Sequence, residues 1–101
     1  MIVLNLTVKV HVSILEGFLA WLQQEHIPSI LSTGSFSDYK FYRLLEQDES
    51  EGPTFVLQFY TQTHEEYRKH IAEHDAKFQK DAQSRWGEAF VVFQTAMEEL
   101  C

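Results

Sequence analysis

Apolar side chains alternate with more polar ones along the first part of the chain. A two-residue period is typical of a strand with one buried face, and it extends here over residues 2–12. The first element is therefore predicted to be a strand. Its apolar positions are Ile2, Leu4, Leu6, Val8, Val10 and Val12, and the alternate positions are Val3, Asn5, Thr7, Lys9 and His11.

The next segment has the three- and four-residue spacing of an amphipathic helix. Ser13 and Glu16 form a capping-box pattern, in which each side chain bonds a free backbone N–H at a helix start. A helix is predicted over residues 14–26, and Pro28 is expected to end it because proline disfavours helical geometry at the preceding residue. Pro28 can itself open a short further turn over residues 28–31. The apolar face of the helix comprises Ile14, Leu15, Phe18, Trp21 and Leu22.

Two further strands follow, joined as a hairpin. Residues 37–46 and 54–61 are rich in aromatic and aliphatic side chains, and a polar, turn-forming stretch ending at Pro53 separates them. This arrangement is typical of antiparallel neighbours.

A long second helix and a last strand complete the pattern. Thr63 and Glu66 form another capping box before a helix over residues 64–85, in which Asp75 or a neighbour is a candidate break. Trp86 and Gly87 end this helix, and the last strand is predicted over residues 90–97.

The predicted order is β-α-β-β-α-β, which places the chain in the α+β class. Right-handed crossovers in this order put both helices on one face of a four-stranded antiparallel sheet. The 101 residues, 45% of them hydrophobic, suit one packed core, so residues 1–101 are predicted to form a single domain.

The helices leave the other face of the sheet open, and the strands carry too many apolar side chains for one face. An apolar patch of this kind usually marks an interface, so we predict a symmetric homodimer that packs sheet against sheet. The alternative is that strand twist and the chain termini cover the patch within one chain. The side chains that cannot all face the helices are Tyr39, Phe41, Val56, Tyr60, Phe90 and Val92.

Charge and cysteine content narrow the possible partners. The formal net charge of -7, from 15 acidic and 8 basic residues, disfavours nucleic acid and anionic membranes as partners. The lone Cys101 gives no sign of an oxidising compartment, and the N-terminal alternation does not fit a signal peptide, so a cytoplasmic protein is expected. The four glycines are scattered rather than gathered in a phosphate-binding loop, so no cofactor is expected.

Several short motifs resemble those of a known family. The chain is similar to a group of short, uncharacterised bacterial proteins, a domain of unknown function of the ferredoxin-like, dimeric α+β barrel type, and the resemblance covers nearly the whole chain. It implies a ferredoxin-like fold and a dimer. Members carry a histidine before the Arg-aromatic-Gly signature where this chain has Ala82, so the resemblance gives less support to a family-wide catalytic histidine pair in this chain. The motifs are Trp21-Leu22, His26-Ile27-Pro28, Thr33-Gly34-Ser35-Phe36, Phe59-Tyr60, Arg85-Trp86-Gly87 and Phe90-Val91-Val92-Phe93.

The histidines are the residues with the most distinctive chemistry. His74 shares a helical stripe with Tyr67, Ile71, Phe78 and Arg85. It should therefore face the sheet, either as a core histidine with an internal partner or as a ligand-facing group. His26 lies at the edge of the first apolar face, where it could equally complement the end of the helix dipole.

A pocket between the helices and the sheet would gather these groups. Its predicted ligand-binding residues are His26, His64, Tyr67 and His74, and the candidate catalytic residues are His26 and His74.

A metal site is not expected. His70 and His74 stand four residues apart with Glu66 and Glu73 nearby, a spacing that can hold a metal. The glutamate that the zinc helix motif places between its histidines is missing, so a solvated polar flank is the preferred interpretation.

Two functions from different classes remain open. The favoured one is a non-enzymatic dimeric module that binds a small ligand or a protein partner. The alternative is an oxygenase- or isomerase-like enzyme with a His/Tyr pocket. The enzyme is favoured if His74 faces an open cavity within hydrogen-bond reach of another titratable group, and the module is favoured if it does not.

Overall fold

The structure, a computed structural model, describes residues 1–101 and confirms the predicted order of four strands and two long helices. The strands are β1 (Ile2–Val10), β2 (Asp38–Arg43), β3 (Thr54–Thr61) and β4 (Phe90–Glu98). Helix α1 covers residues 15–32 after a 3₁₀ turn at Val12–Ile14, and helix α2 covers residues 64–86.

The four strands form one antiparallel sheet in the order β2-β3-β1-β4. This is the ferredoxin-like α+β fold that the sequence predicts. Neither helix combines the length and the apolar character that crossing a bilayer requires.

Each helix contains one π-helical segment. The segments of α1 are the α-helix Leu15–Trp21, the π-helix Leu22–His26 and the α-helix Ile27–Ser32. Those of α2 are the α-helix His64–His70, the π-helix Ile71–Asp75 and the α-helix Ala76–Trp86. A π turn bonds each N–H five residues back and so holds one residue more than an α turn. Residues before and after it therefore change their rotational position around the helix.

Two predicted features of α1 are wrong. Ser13 does not cap the helix but lies in the 3₁₀ turn, where its backbone N–H donates to Nδ1 of His11 at 3.1 Å. Pro28 does not end the helix, which continues to residue 32. The preceding π turn, in which the N–H of Ile27 bonds a carbonyl five residues back, relieves the crowding that a proline causes inside a regular α-helix.

The predicted ends of α2 are confirmed. The Thr63 hydroxyl accepts a bond from the backbone N–H of Glu66 at 3.2 Å and caps the helix start. Gly87 has a φ of 58° at the helix end, and its N–H donates to the carbonyl of Gln83 at 2.8 Å. The candidate break at Asp75 is the last residue of the π segment, so the helix widens there but does not stop.

The core lies between the two helices and one face of the sheet. β1 and β3 supply alternate residues, and α1 and α2 supply their apolar faces. The predicted stripe of α2 is wrong in part, because Ile71 is exposed, His74 is half-buried, and the fully buried histidine is His70. The buried residues of the core are Leu4, Val8, Val10, Phe18, Trp21, Leu22, Ile27, Ile30, Phe36, Phe55, Leu57, Phe59, Phe78 and Ala82.

The open face of the sheet is apolar at both ends and polar across its middle. Of the six side chains predicted not to fit on one face, four lie on the helix side. The other two, Val56 and Tyr60, lie on the open side of β3, between β2 and β1. The open face also carries Val3, Tyr42, Val91, Phe93 and Met97. The four on the helix side are Tyr39, Phe41, Phe90 and Val92.

The polar groups in the middle of the open face bond to one another. The Tyr60 hydroxyl donates to Oε1 of Gln58 at 2.6 Å, and Nε2 of Gln58 donates to Oδ1 of Asn5 at 3.0 Å. The Asn5 amide in turn donates to the Thr7 hydroxyl at 3.5 Å. This chain of bonds runs across β3 and β1. Four exposed side chains of the same face lie outside it, namely Lys9, Asp38, Lys40 and Thr95.

Candidate functional site

A cavity of about 60 Å³ lies between the helices and the sheet. It has 16 lining residues, of which 11 are hydrophobic, so the polar ones stand out. Both π segments reach its wall, through His26 in α1 and Asp75 in α2. The polar residues of the wall are His26, His70, Asp75, Gln79 and Gln94.

The carboxylate of Asp75 organises the polar side of the wall. Its Oδ2 accepts a hydrogen bond from Nε2 of Gln79 at 2.6 Å, and its Oδ1 accepts one from Nε2 of Gln94 at 3.2 Å. Gln79 lies one turn further along α2, and Gln94 lies on the helix side of β4 opposite Leu6. A helix and a strand therefore fix one carboxylate from two directions.

His70 lies beside this carboxylate and is almost completely buried. Its Nε2 is 3.7 Å from Oδ1 of Asp75, and its Nδ1 is buried without a hydrogen-bond partner. The ring packs edge-on against Phe36 at 4.6 Å between centroids and stacks on Phe78 at 6.2 Å. Burial lowers the pKa of His70; the Asp75 carboxylate partly opposes this shift, and His74 adds to it. The imidazole is therefore neutral at pH 7, with one nitrogen able to accept a bond.

His26 lies on the opposite side of the cavity, between it and an outer groove. Its ring stacks on Trp21 with centroids 4.4 Å apart and meets Phe78 edge-on at 5.7 Å. Burial lowers the pKa of His26 to about 4, although the charge of Asp81 acts in the opposite direction.

The outer groove between α1 and α2 is open and measures about 410 Å³. Trp21, His26 and Phe78 line both the cavity and this groove, so they form the wall between the two spaces. The rest of the groove is polar, with Glu25 and Arg85 3.9 Å apart across it.

Of the four predicted ligand-binding residues, His26 lines the cavity and the other three do not. His64 is exposed and pairs with Glu98 at 2.6 Å, and Tyr67 packs against the core. Nε2 of His74 is 3.8 Å from the Glu73 carboxylate. The roles of these residues in ligand binding or catalysis stay predictions.

Sequence reasoning missed the polar groups that the fold gathers at the cavity, namely His70, Asp75, Gln79 and Gln94. A signal was present for Gln94, because it follows Phe90 and Val92 in the alternation that faces the helices. A signal for His70 was also present, because it lies three residues after Tyr67 and four before His74 on a regular helix, but the preferred interpretation of this spacing is a solvated polar flank.

His70 and His74 lie with ring centroids 6.0 Å apart, and Glu73 contacts only the second of them. No group of three or more His, Cys, Asp or Glu side chains is arranged to hold a metal ion.

The fold and the cavity define a small ferredoxin-like α+β protein with an apolar chamber under its helices. The chain belongs to the family described as "Domain of unknown function (DUF4286)", whose model matches residues 1–100, and this confirms the resemblance found in the sequence. No functionally curated protein matches the sequence significantly.

Three solved structures illustrate the likeness of fold. An ethyl tert-butyl ether d (EthD) family protein from Bacillus halodurans is 19% identical, with a TM-score of 0.73 over 99% of this chain and 100% of that one. A dimeric ferredoxin-like protein from an uncultured marine organism is 11% identical, with a TM-score of 0.70 over 95% and 92% of the two chains. A candidate antibiotic biosynthesis monooxygenase from Deinococcus radiodurans is 17% identical, with a TM-score of 0.64 over 98% and 92%. At these identities the likeness shows the fold alone.

Proposed function

We propose that this protein is a cytoplasmic, single-domain homodimer that binds a small, largely apolar ligand in the cavity between its helices and sheet. The observation that carries the proposal is an apolar cavity with a single organised polar side, centred on Asp75. Small-ligand sites are typically apolar with a few well-placed polar groups. The acidic charge and the lone exposed cysteine support the location.

The size of the cavity limits the ligand. A single water needs roughly 10–15 Å³ of such space, so about 60 Å³ accommodates a few heavy atoms, on the scale of one six-membered ring. A larger ligand would have to displace the Trp21, His26 and Phe78 wall into the outer groove.

The proposed dimer joins two copies through their open sheet faces. Phe93 and Val91 on β4 and Tyr42 on β2 are all exposed, and the polar groups between these strands already bond to one another. Covering this surface would remove apolar area from water, while the charged Lys9, Asp38 and Lys40 side chains of the same face would have to reach solvent at its rim or pair across the interface. One structural neighbour is itself described as dimeric, which is consistent with this arrangement.

The test combines mass and ligand occupancy. Native mass spectrometry at micromolar concentration is expected to give twice the mass of the chain. Titration with toluene, followed by ¹H–¹⁵N NMR, is expected to shift backbone signals of cavity residues such as Leu57 and Gln94, and not those of exposed Leu45. A monomer would refute the dimer, and unchanged cavity signals at saturating toluene would refute the binding site.

The second candidate function is an oxygenase- or isomerase-like enzyme. The close approach of His70 to Asp75 favours it, because proton abstraction needs an imidazole oriented by a carboxylate. An enzyme that uses His74 would need this side chain in an open cavity and within hydrogen-bond reach of another titratable group. His74 does not line the cavity, and its Nε2 is 3.8 Å from the Glu73 carboxylate, which favours the non-enzymatic binding protein. Conversion of a ring-sized ketone or phenol that is abolished in His70→Phe would favour the enzyme instead.

A further inference from the structure

The polar side of the cavity carries several hydrogen-bond acceptors. A carboxylate at neutral pH can only accept hydrogen bonds, so the two glutamine side chains must turn their NH₂ groups toward Asp75. Their carbonyl oxygens then point away from the carboxylate. Each NH₂ group uses one of its two N–H donors on the carboxylate, so one N–H and the carbonyl oxygen of each glutamine stay free of this network.

His70 adds one more acceptor to the same wall. Its Nε2 faces the Asp75 carboxylate, which favours the tautomer with the proton on that nitrogen. The lone pair is then on Nδ1, which is buried and has no partner in the protein. A buried polar atom without a partner is uncommon and calls for an explanation. One explanation is a ligand that donates a hydrogen bond to this nitrogen.

We propose that the cavity selects an uncharged, ring-sized ligand that carries one hydroxyl donor, with phenol as the simplest case, and that His70 accepts its hydrogen bond. This inference deepens the proposed ligand-binding function and rests on it. The apolar wall excludes ions that lose their water on entry, and the Asp75 carboxylate further disfavours anions such as benzoate.

The choice between phenol and toluene tests the acceptor directly, because the two molecules differ only in a hydroxyl against a methyl group. A cavity with no free acceptor would prefer toluene, since burying an unpaired hydroxyl is unfavourable. A cavity with a free acceptor is expected to bind phenol about two- to twelvefold more tightly, the net effect of one hydrogen bond of about 0.5–1.5 kcal/mol. ¹H–¹⁵N NMR titration of the dimer at pH 7 gives both dissociation constants.

His70→Phe and His11→Phe form the matched pair of variants. His70→Phe keeps a ring against Phe36 and Phe78 but removes the acceptor, so toluene affinity should stay and the phenol preference should vanish. His11→Phe changes an exposed histidine outside the cavity and should leave both affinities unchanged. If His70→Phe does not fold, Gln94→Leu removes another acceptor of the wall and should reduce the preference for phenol.

The outcomes separate the two proposals. Wild-type protein that binds toluene as tightly as phenol, or more tightly, overturns the hydroxyl selectivity while the ligand-binding cavity stands. If wild type and His70→Phe prefer phenol over toluene to the same extent, His70 does not accept the hydrogen bond of the hydroxyl. Protein that binds neither probe refutes the ligand-binding function itself.

Discussion

Replacing Phe93 with alanine is expected to weaken the proposed dimer more than any other single truncation on the open sheet face. Phe93 lies on β4 and leaves 67% of its surface exposed in the single chain. Fully burying a phenylalanine contributes about 1.5–3 kcal/mol, so covering this exposed part contributes about 1–2 kcal/mol per chain. A symmetric dimer buries the residue twice, which gives about 2–4 kcal/mol.

This energy converts into a measurable change of affinity. At 1.4 kcal/mol per factor of ten, Phe93→Ala should raise the dimer dissociation constant by about 30- to 700-fold. Sedimentation velocity over a concentration series measures that constant. Leu45→Ala is the matched control, because Leu45 is 78% exposed but lies in the connection after β2, outside the sheet. A dissociation constant that Phe93→Ala leaves within a factor of two would refute the sheet-to-sheet interface.

Three further predictions concern stability, each measured by urea unfolding. Gly52→Ala should cost more than about 2 kcal/mol, because its Cβ would lie 1.8 Å from the carbonyl oxygen of Val10, whereas Gly34→Ala meets open space and should cost about 1 kcal/mol through its positive φ alone. Because the pKa of His26 is lowered from 6.5 to about 4, the unfolded chain binds its proton first, so stability is complete above pH 6.5 and falls as the pH drops toward 4. The loss between pH 7 and pH 4.5 should be about 2 kcal/mol larger in wild type than in His26→Gln, and equal losses would contradict the pKa shift. Asp75→Ala should cost about 1–2 kcal/mol, since two amide donors lose their acceptor but lie on exposed side chains that water can reach; a cost below about 0.5 kcal/mol would show that the network contributes little.

The order of elements follows from local patterns in the sequence. A two-residue period in β1 and the turn composition before Pro53 act over a few residues, as do the Thr63 cap and the Gly87 helix end. Such signals depend on neighbouring residues and do not require knowledge of the tertiary structure, so the ferredoxin-like topology could be predicted from them.

The face that α2 turns to the sheet could not be predicted in the same way. The predicted stripe assumed a regular α-helix, whereas the π segment Ile71–Asp75 adds a residue and rotates the earlier part of the helix. The histidine that reaches the core is therefore His70, and His74 lies partly outside it. Nothing in the local spacing indicates a π turn, because its stability depends on what the helix packs against.

The polar side of the cavity could not be predicted from the sequence for a related reason. Asp75 and Gln94 are 19 residues apart, and only the packing of α2 on β4 brings them within 3.2 Å. Composition and periodicity describe each element separately, so they do not indicate which polar groups meet across two of them.

Strand β4 carries alternate side chains into two different environments. Val92 and Gln94 line the cavity, while Val91 and Phe93 belong to the face proposed to meet a second copy. A ligand that displaces this edge strand would change subunit affinity, and by thermodynamic reciprocity subunit association would change ligand affinity by the same factor. Occupancy measured on dilute protein would then differ from occupancy measured on concentrated protein, even at the same amount of free ligand.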